Sequence, residues 1–273
     1  MSDAENFVID PPDISEELAS QLELDDANKK VRYHRFMTKE TQEYLKDLRP
    51  KVKGLKQFWL VTLNNHTAIS PSISSKIDQH ALSFLEDVEL KQDIEDYREF
   101  ELVFHFAENP YFNNKSLSKK FVVAPESAKA GEKQSLDEKL RTFDFTDLDP
   151  LAFEIDWKSE DKNLTAKLPR QLQGVSEGDD LEDGFEGDAG SFFWFFQNAE
   201  DTFDLGNIIR DDLLPEAFAY FEGRGPACDE DSDIDEEDDE LDEESGDDDE
   251  EIDLEDEEDE PTKKKRKLGA GKR

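Results

Sequence analysis

The sequence predicts an α+β fold: a long N-terminal helix, then an antiparallel sheet with helices on one face, then an unfolded acidic tail. Three observations carry this. Residues 14–48 contain neither proline nor glycine. Phe100, Leu102, Phe104 and Phe106 alternate with Glu101, Val103 and His105, the period of a half-buried strand. Residues 229–260 hold 25 Asp or Glu in 32 positions without a Lys or Arg, a run too charged and too poor in apolar groups to offset its ordering entropy.

Pro11-Pro12-Asp13 reads as a stop followed by a capping residue, and residues 13–57 are assigned to the long helix, after a flexible N-terminus of residues 1–12. Ile14, Leu18 and Leu22, then Leu24, Ala27 and Val31, then Leu45, Leu48, Val52 and Leu55 recur at helical spacing. Some 36 residues of helix extend about 54 Å, whereas a compact domain of about 170 residues measures about 30–40 Å across. The helix is therefore expected to overhang its domain and to pair with a second copy in a two-fold dimer, with Val31, Leu45, Leu48 and Val52 as dimerisation residues. A helix packed along its own chain is the alternative.

Residues 58–228 form the expected α+β domain. Helical segments near residues 58–64 and 78–85 lead into strands at residues 100–106 and 117–123, joined by the turn Glu108-Asn109-Pro110-Tyr111-Phe112-Asn113-Asn114. Leu151, Phe153, Ile155 and Trp157 alternate with Glu154, Asp156 and Lys158 as a third strand. Ser191 is a plausible N-cap for a helix over residues 192–198, whose aromatic cluster is expected in the core. Leu205, Ile208, Ile209 and Leu213 mark an amphipathic helix before Pro215.

The charge pattern narrows function. Residues 1–228 carry 47 acids and 26 bases, so the body is acidic even without its tail, and the whole chain has a formal charge of −39. Such a surface repels duplex DNA and anionic membranes and draws in a basic protein. Residues 261–273 include Lys263-Lys264-Lys265-Arg266-Lys267, a nuclear localisation pattern, with nucleic-acid contact as the alternative. Residues 1–12 have neither the basic start nor the apolar core of a signal peptide, and no apolar run reaches membrane-spanning length, so a nuclear protein is expected, with shuttling through the cytoplasm left open. Cys228 is the single cysteine, which excludes an internal disulfide and a cysteine-based zinc site. No phosphate-binding glycine loop, nucleophile elbow or paired-histidine motif occurs, and His34, His66, His80 and His105 are scattered. No enzyme, cofactor or metal is expected.

Phe58-Trp59, Asn65-His66, the Glu108–Phe112 turn with Leu117-Ser118-Lys119, Ser191-Phe192-Phe193-Trp194-Phe195-Phe196, and Leu205-Gly206-Asn207-Ile208-Ile209-Arg210-Asp211-Asp212 with Pro215 together resemble the nucleosome assembly protein family, in its SET or template-activating factor branch. The likeness covers roughly residues 29–221. It differs in one respect: members of this branch commonly carry a helix proline near the position of Glu43, whereas this chain has Pro50. The resemblance implies a homodimeric histone chaperone with a long dimerisation helix and an earmuff-like domain. By match to the family, Tyr111 and Asp204 fall on histone-binding positions, and Asp201, Asp211 and Asp212 are added as neighbouring charges. The expected function is ATP-independent nucleosome assembly or disassembly on core histones. The alternatives are a regulator that inhibits a histone-modifying enzyme, or presents histones to it, and a chaperone of other basic nuclear proteins.

Overall fold

The computed structural model describes residues 13–171 and 188–228. The expected flexible N-terminus, the acidic segment 229–260 and the basic cluster Lys263–Lys267 lie outside the described residues. Helix α1 spans Glu16–Val52. Its cap is Ser15 rather than Asp13: the Ser15 hydroxyl accepts the Leu18 N–H at 3.2 Å, and Glu16 and Glu17 place negative charge at the positive end of the helix dipole. Pro50 sits inside the last turn, where it removes one helix hydrogen bond close to the end, and Gly54, at φ +94°, turns the chain away.

One face of α1 packs on the body of its own chain. Leu45, Leu48 and Val52 join the main hydrophobic core, and Val31 packs with Tyr97 and Leu140. Arg49 Nε donates to Asp87 Oδ2 at 2.7 Å, Gln42 Nε2 to the Gln92 carbonyl at 2.7 Å, and the Tyr44 hydroxyl accepts the Phe218 N–H at 3.0 Å. The assignment of Val31, Leu45, Leu48 and Val52 to a dimer seam is thereby corrected. Periodicity shows that a stripe is covered without showing what covers it. The apolar residues of α1 that stay exposed are Leu18, Leu22, Leu24, Tyr33 and Phe36, with Ile14 just before the cap.

Helices α2 (Phe58–Asn64) and α3 (Lys76–Leu82), joined by a 3₁₀ turn at Ser70–Ile73, precede the sheet. The sheet is an antiparallel meander in the order β1 (Leu85–Gln92), β2 (Phe100–Phe106), β3 (Ser116–Val123), β4 (Leu148–Leu151). β1 was not legible, because a register irregularity between Leu85 and Asp87 breaks its alternation and leaves Leu85, Val88 and Leu90 out of a two-residue period. The expected strand at residues 151–157 is shortened: β4 ends at Leu151, and the later segment bonds to other partners. Phe153 N–H reaches the Phe196 carbonyl at 2.7 Å, and Trp157 makes an isolated bridge with Phe112. Alternation there reports burial, as at Ile155, rather than a ladder. Helices α4 (Pro125–Ala130) and α5 (Leu136–Thr142) fill the β3–β4 connection, and α5 begins with a capping box of Ser135 and Glu138.

The core lies between the inner face of the sheet and the C-terminal segments. Phe104 meets Phe196 edge to face at 5.1 Å, while Phe192, Phe193 and Phe195 complete the aromatic layer. Ser191 donates to buried Asp78 at 2.7 Å, and the Phe192 N–H reaches the same carboxylate at 3.0 Å, tying this layer to α3. Only Trp194–Gln197 (α7) is helical there, after the short α6 (Leu164–Lys167). Lys119 falls on the inner face of β3. Its ammonium donates to the Asn198 carbonyl at 2.5 Å and lies 5.7 Å from the centre of the Phe195 ring, and burial pushes its pKa down to about 8.

Candidate functional site

The segment between α7 and the last helix carries four of the five expected binding residues. It folds as α8 (Leu205–Ile208), continues without a break into a π turn at Ile209–Leu213, and leads to α9 (Ala217–Phe221). Leu205, Ile209 and Leu213 enter the core; of the charged positions between them Arg210 is buried as well and Asp211 is exposed. Gly206 is required by contact: a Cβ there would lie 2.0 Å from Cζ of Phe121. Phe121 is itself stacked on Phe100 at 4.4 Å.

The four aspartates have unlike roles. Asp201 accepts the Leu205 N–H at 3.1 Å and the Gly206 N–H at 2.6 Å, so both its oxygens are used to start α8. Burial pushes its pKa up, opposed by those two amides and by Lys119. Asp212 accepts the Tyr220 hydroxyl at 2.7 Å and faces His66 Nε2 at 3.0 Å. His66 Nδ1 accepts the Ala68 N–H at 3.2 Å, so the ring proton sits on Nε2 and is donated to Asp212. Asp211 is exposed, yet its carboxylate forks onto the Arg210 guanidinium, through Nε at 2.6 Å and through Nη2. That guanidinium lies 4.4 Å from the centre of the Phe100 ring and 3.6 Å from that of Phe145. Asp204 is exposed, holds a left-handed backbone at φ 52°, and its carboxylate accepts from Asn207 Nδ2 at 2.6 Å. Partial desolvation pushes its pKa up, and the Asn207 amide and Arg210 oppose this.

Tyr111 is buried in the turn before β3. Its hydroxyl bonds to His80 Nδ1 at 2.7 Å, and Lys162 Nζ sits 5.9 Å from its ring centre. Asn109 orders this turn by accepting the Tyr111 and Phe112 N–H groups at 2.9 and 3.2 Å. A cation already occupies the tyrosine face, which disfavours a basic partner there. Tyr111, Asp201 and Asp212 all take part in internal bonds that the fold itself uses. Of the expected residues, the structure leaves Asp204 and Asp211 outward, close enough to act on each other electrostatically. Glu200 and Glu216 on the same segment are also exposed and were missed, since an acid in an acidic chain carries no distinguishing signal.

A family model for the nucleosome assembly protein (NAP) matches residues 13–224, which take in α1, the sheet and the segment just described. The chain belongs to the nucleosome assembly protein family. Nucleosome assembly protein 1;1 of Arabidopsis thaliana is 32% identical over 212 residues, covering 67% of this chain and 50% of that protein. Protein SET of Drosophila melanogaster is 31% identical over 214 residues, covering 74% and 70%. The chain thus spans about half the length of the plant family members it matches. Among solved structures, Ccp1 superposes with a TM-score of 0.50 at 20% identity, covering 76% of this chain and 94% of that one. The nucleosome assembly protein S of Plasmodium falciparum gives a TM-score of 0.51 at 16% identity, covering 76% and 95%. These two likenesses extend the family fold to this chain and speak of the fold alone.

Proposed function

We propose that this chain is a nuclear histone chaperone, which binds core histones through exposed carboxylates and promotes nucleosome assembly or disassembly without ATP. Membership of a family whose relatives are named for nucleosome assembly is the observation that carries this reading. The surplus of acids over bases in residues 1–228 supports it, because a polyanionic body attracts histones and leaves DNA to them. On the body, the binding surface we assign is the exposed acid of residues 200–216: Glu200, Asp204, Asp211 and Glu216. The acidic segment 229–260 adds long-range attraction, and Lys263–Lys267 serves as the import signal. Dimerisation is assigned to the exposed apolar residues at the start of the long helix, Ile14, Leu18, Leu22 and Leu24.

Plasmid supercoiling with core histones and topoisomerase tests the reading. The full chain is expected to introduce supercoils without ATP. A variant with Glu200→Gln, Asp204→Asn and Glu216→Gln, which leaves the Arg210–Asp211 pair intact, is expected to lose most of that activity while melting normally. Full activity in the triple variant would move the histone surface elsewhere, and no supercoiling by the wild type would end the chaperone reading.

A further inference from the structure

Where α1 ends, the chain builds a cavity of about 460 Å³, within the range of ligand sites, about 300–1,000 Å³. Its walls are apolar: Val52 and Leu55 from the end of α1 and the turn after it, Phe58 and Trp59 from α2, and Phe84 and Leu85 at the start of β1. It is open at one side, where Leu55 is 49% exposed.

The rim is basic in an otherwise acidic chain. Residues 46–56 carry five bases and one acid. Arg49 is neutralised by Asp87, and Glu86 sits at the mouth, but Lys46, Lys51, Lys53 and Lys56 are exposed and make no ion pair among the described residues. Lys53 and Lys56 line the cavity itself. Helix α1 also ends here, and its negative dipole end favours cations at this position.

We propose that this cavity is a docking site for an acidic peptide segment of a partner protein, with an apolar side chain as anchor and flanking carboxylates on Lys53 and Lys56. The anchor fills the space between Val52, Phe58 and Phe84. Nucleic acid fits less well, since a phosphate backbone has nothing to place against six apolar walls. None of the carboxylates of residues 200–216 lines this site, and its rim has the opposite sign. It would let the chaperone be recruited by an acidic protein while its own acids hold a basic one.

Fluorescence anisotropy with the full chain, at physiological ionic strength, tests this. The probe is a short labelled peptide with Phe and Leu set between runs of glutamate. Binding is expected to weaken at least tenfold, about 1.4 kcal/mol, when Phe and Leu are replaced by Ser. A similar loss is expected when the glutamates become glutamines, and in the protein variant Lys53→Glu with Lys56→Glu. Both lysines are exposed, so an unchanged melting curve separates lost docking from lost folding. The proposal is overturned if the probe does not bind, or if the Ser peptide binds equally, which would leave a charge patch without an anchor pocket. Displacement of the probe by a DNA duplex would also overturn it, in favour of a nucleic-acid surface, as would full affinity in the double-lysine variant.

Discussion

Asp212→Ala and Asp204→Asn separate an aspartate that holds the fold from one that faces a partner. Removing the Asp212 carboxylate leaves two buried donors without it, the hydroxyl of Tyr220, which is 0% exposed, and the Nε2–H of His66, which is 2% exposed. Each orphaned group costs about 1–3 kcal/mol, so the variant should lose about 2–5 kcal/mol. At about 2–4 °C per kcal/mol for a domain of this size, the melting temperature should fall by about 5–15 °C. Asp204→Asn keeps the acceptor that Asn207 uses and suits the left-handed backbone, so its stability should move by less than about 0.5 kcal/mol. Its loss of charge should instead weaken core-histone binding by about 0.5–1 kcal/mol at low salt, with the difference shrinking as salt screens it. Thermal melts by circular dichroism and histone titrations at two salt concentrations measure both quantities. An Asp212→Ala protein that melts with the wild type would refute the structural role, and an Asp204→Asn protein that melts early while binding normally would reverse the assignment.

Asp78, pushed up by burial from the usual 3.8 to about 6, gives a pH test. Between those values the native carboxyl holds a proton that the unfolded one has lost, so this group lowers stability as pH rises through the window. Relative to Asp78→Asn, the wild type should lose about 2 kcal/mol from pH 3.8 to 6, by urea melts, and a pH-independent difference would contradict the shift. Gly206→Ala should cost about 1–3 kcal/mol by overpacking Phe121, seen as an earlier denaturation midpoint. Leu22→Glu should leave the melting of the body unchanged while dissociating the proposed dimer in sedimentation, whereas Leu48→Glu should unfold the body, because Leu48 packs in its own chain's core. Equal sedimentation of wild type and Leu22→Glu as dimers would move the interface off that stripe.

Much of the architecture is written in local pattern. The long helix follows from an unbroken run of helix-compatible residues and β2 from strict alternation, while α5 starts at a capping box of Ser135 and Glu138. Patterns fail where two partners are interchangeable. Leu45 and Leu48 show the same spacing whether they meet a second copy or their own sheet, and Trp157 alternates whether it pairs with a strand or a loop.

The sequence by itself determined the long first helix, the strands at 100–106 and 117–123 and the sign of the surface, because composition and spacing are properties of the chain alone, and its motifs carried the likeness to the family. Only the tertiary structure decided which acids are free. Asp201, Asp204, Asp211 and Asp212 are chemically alike and lie within twelve residues. Yet one caps a helix, one anchors His66 and Tyr220, one is forked onto a stacked arginine, and one faces solvent. A carboxylate's availability depends on which donors the fold brings within hydrogen-bond distance, and those donors come from residues as far as 146 positions away.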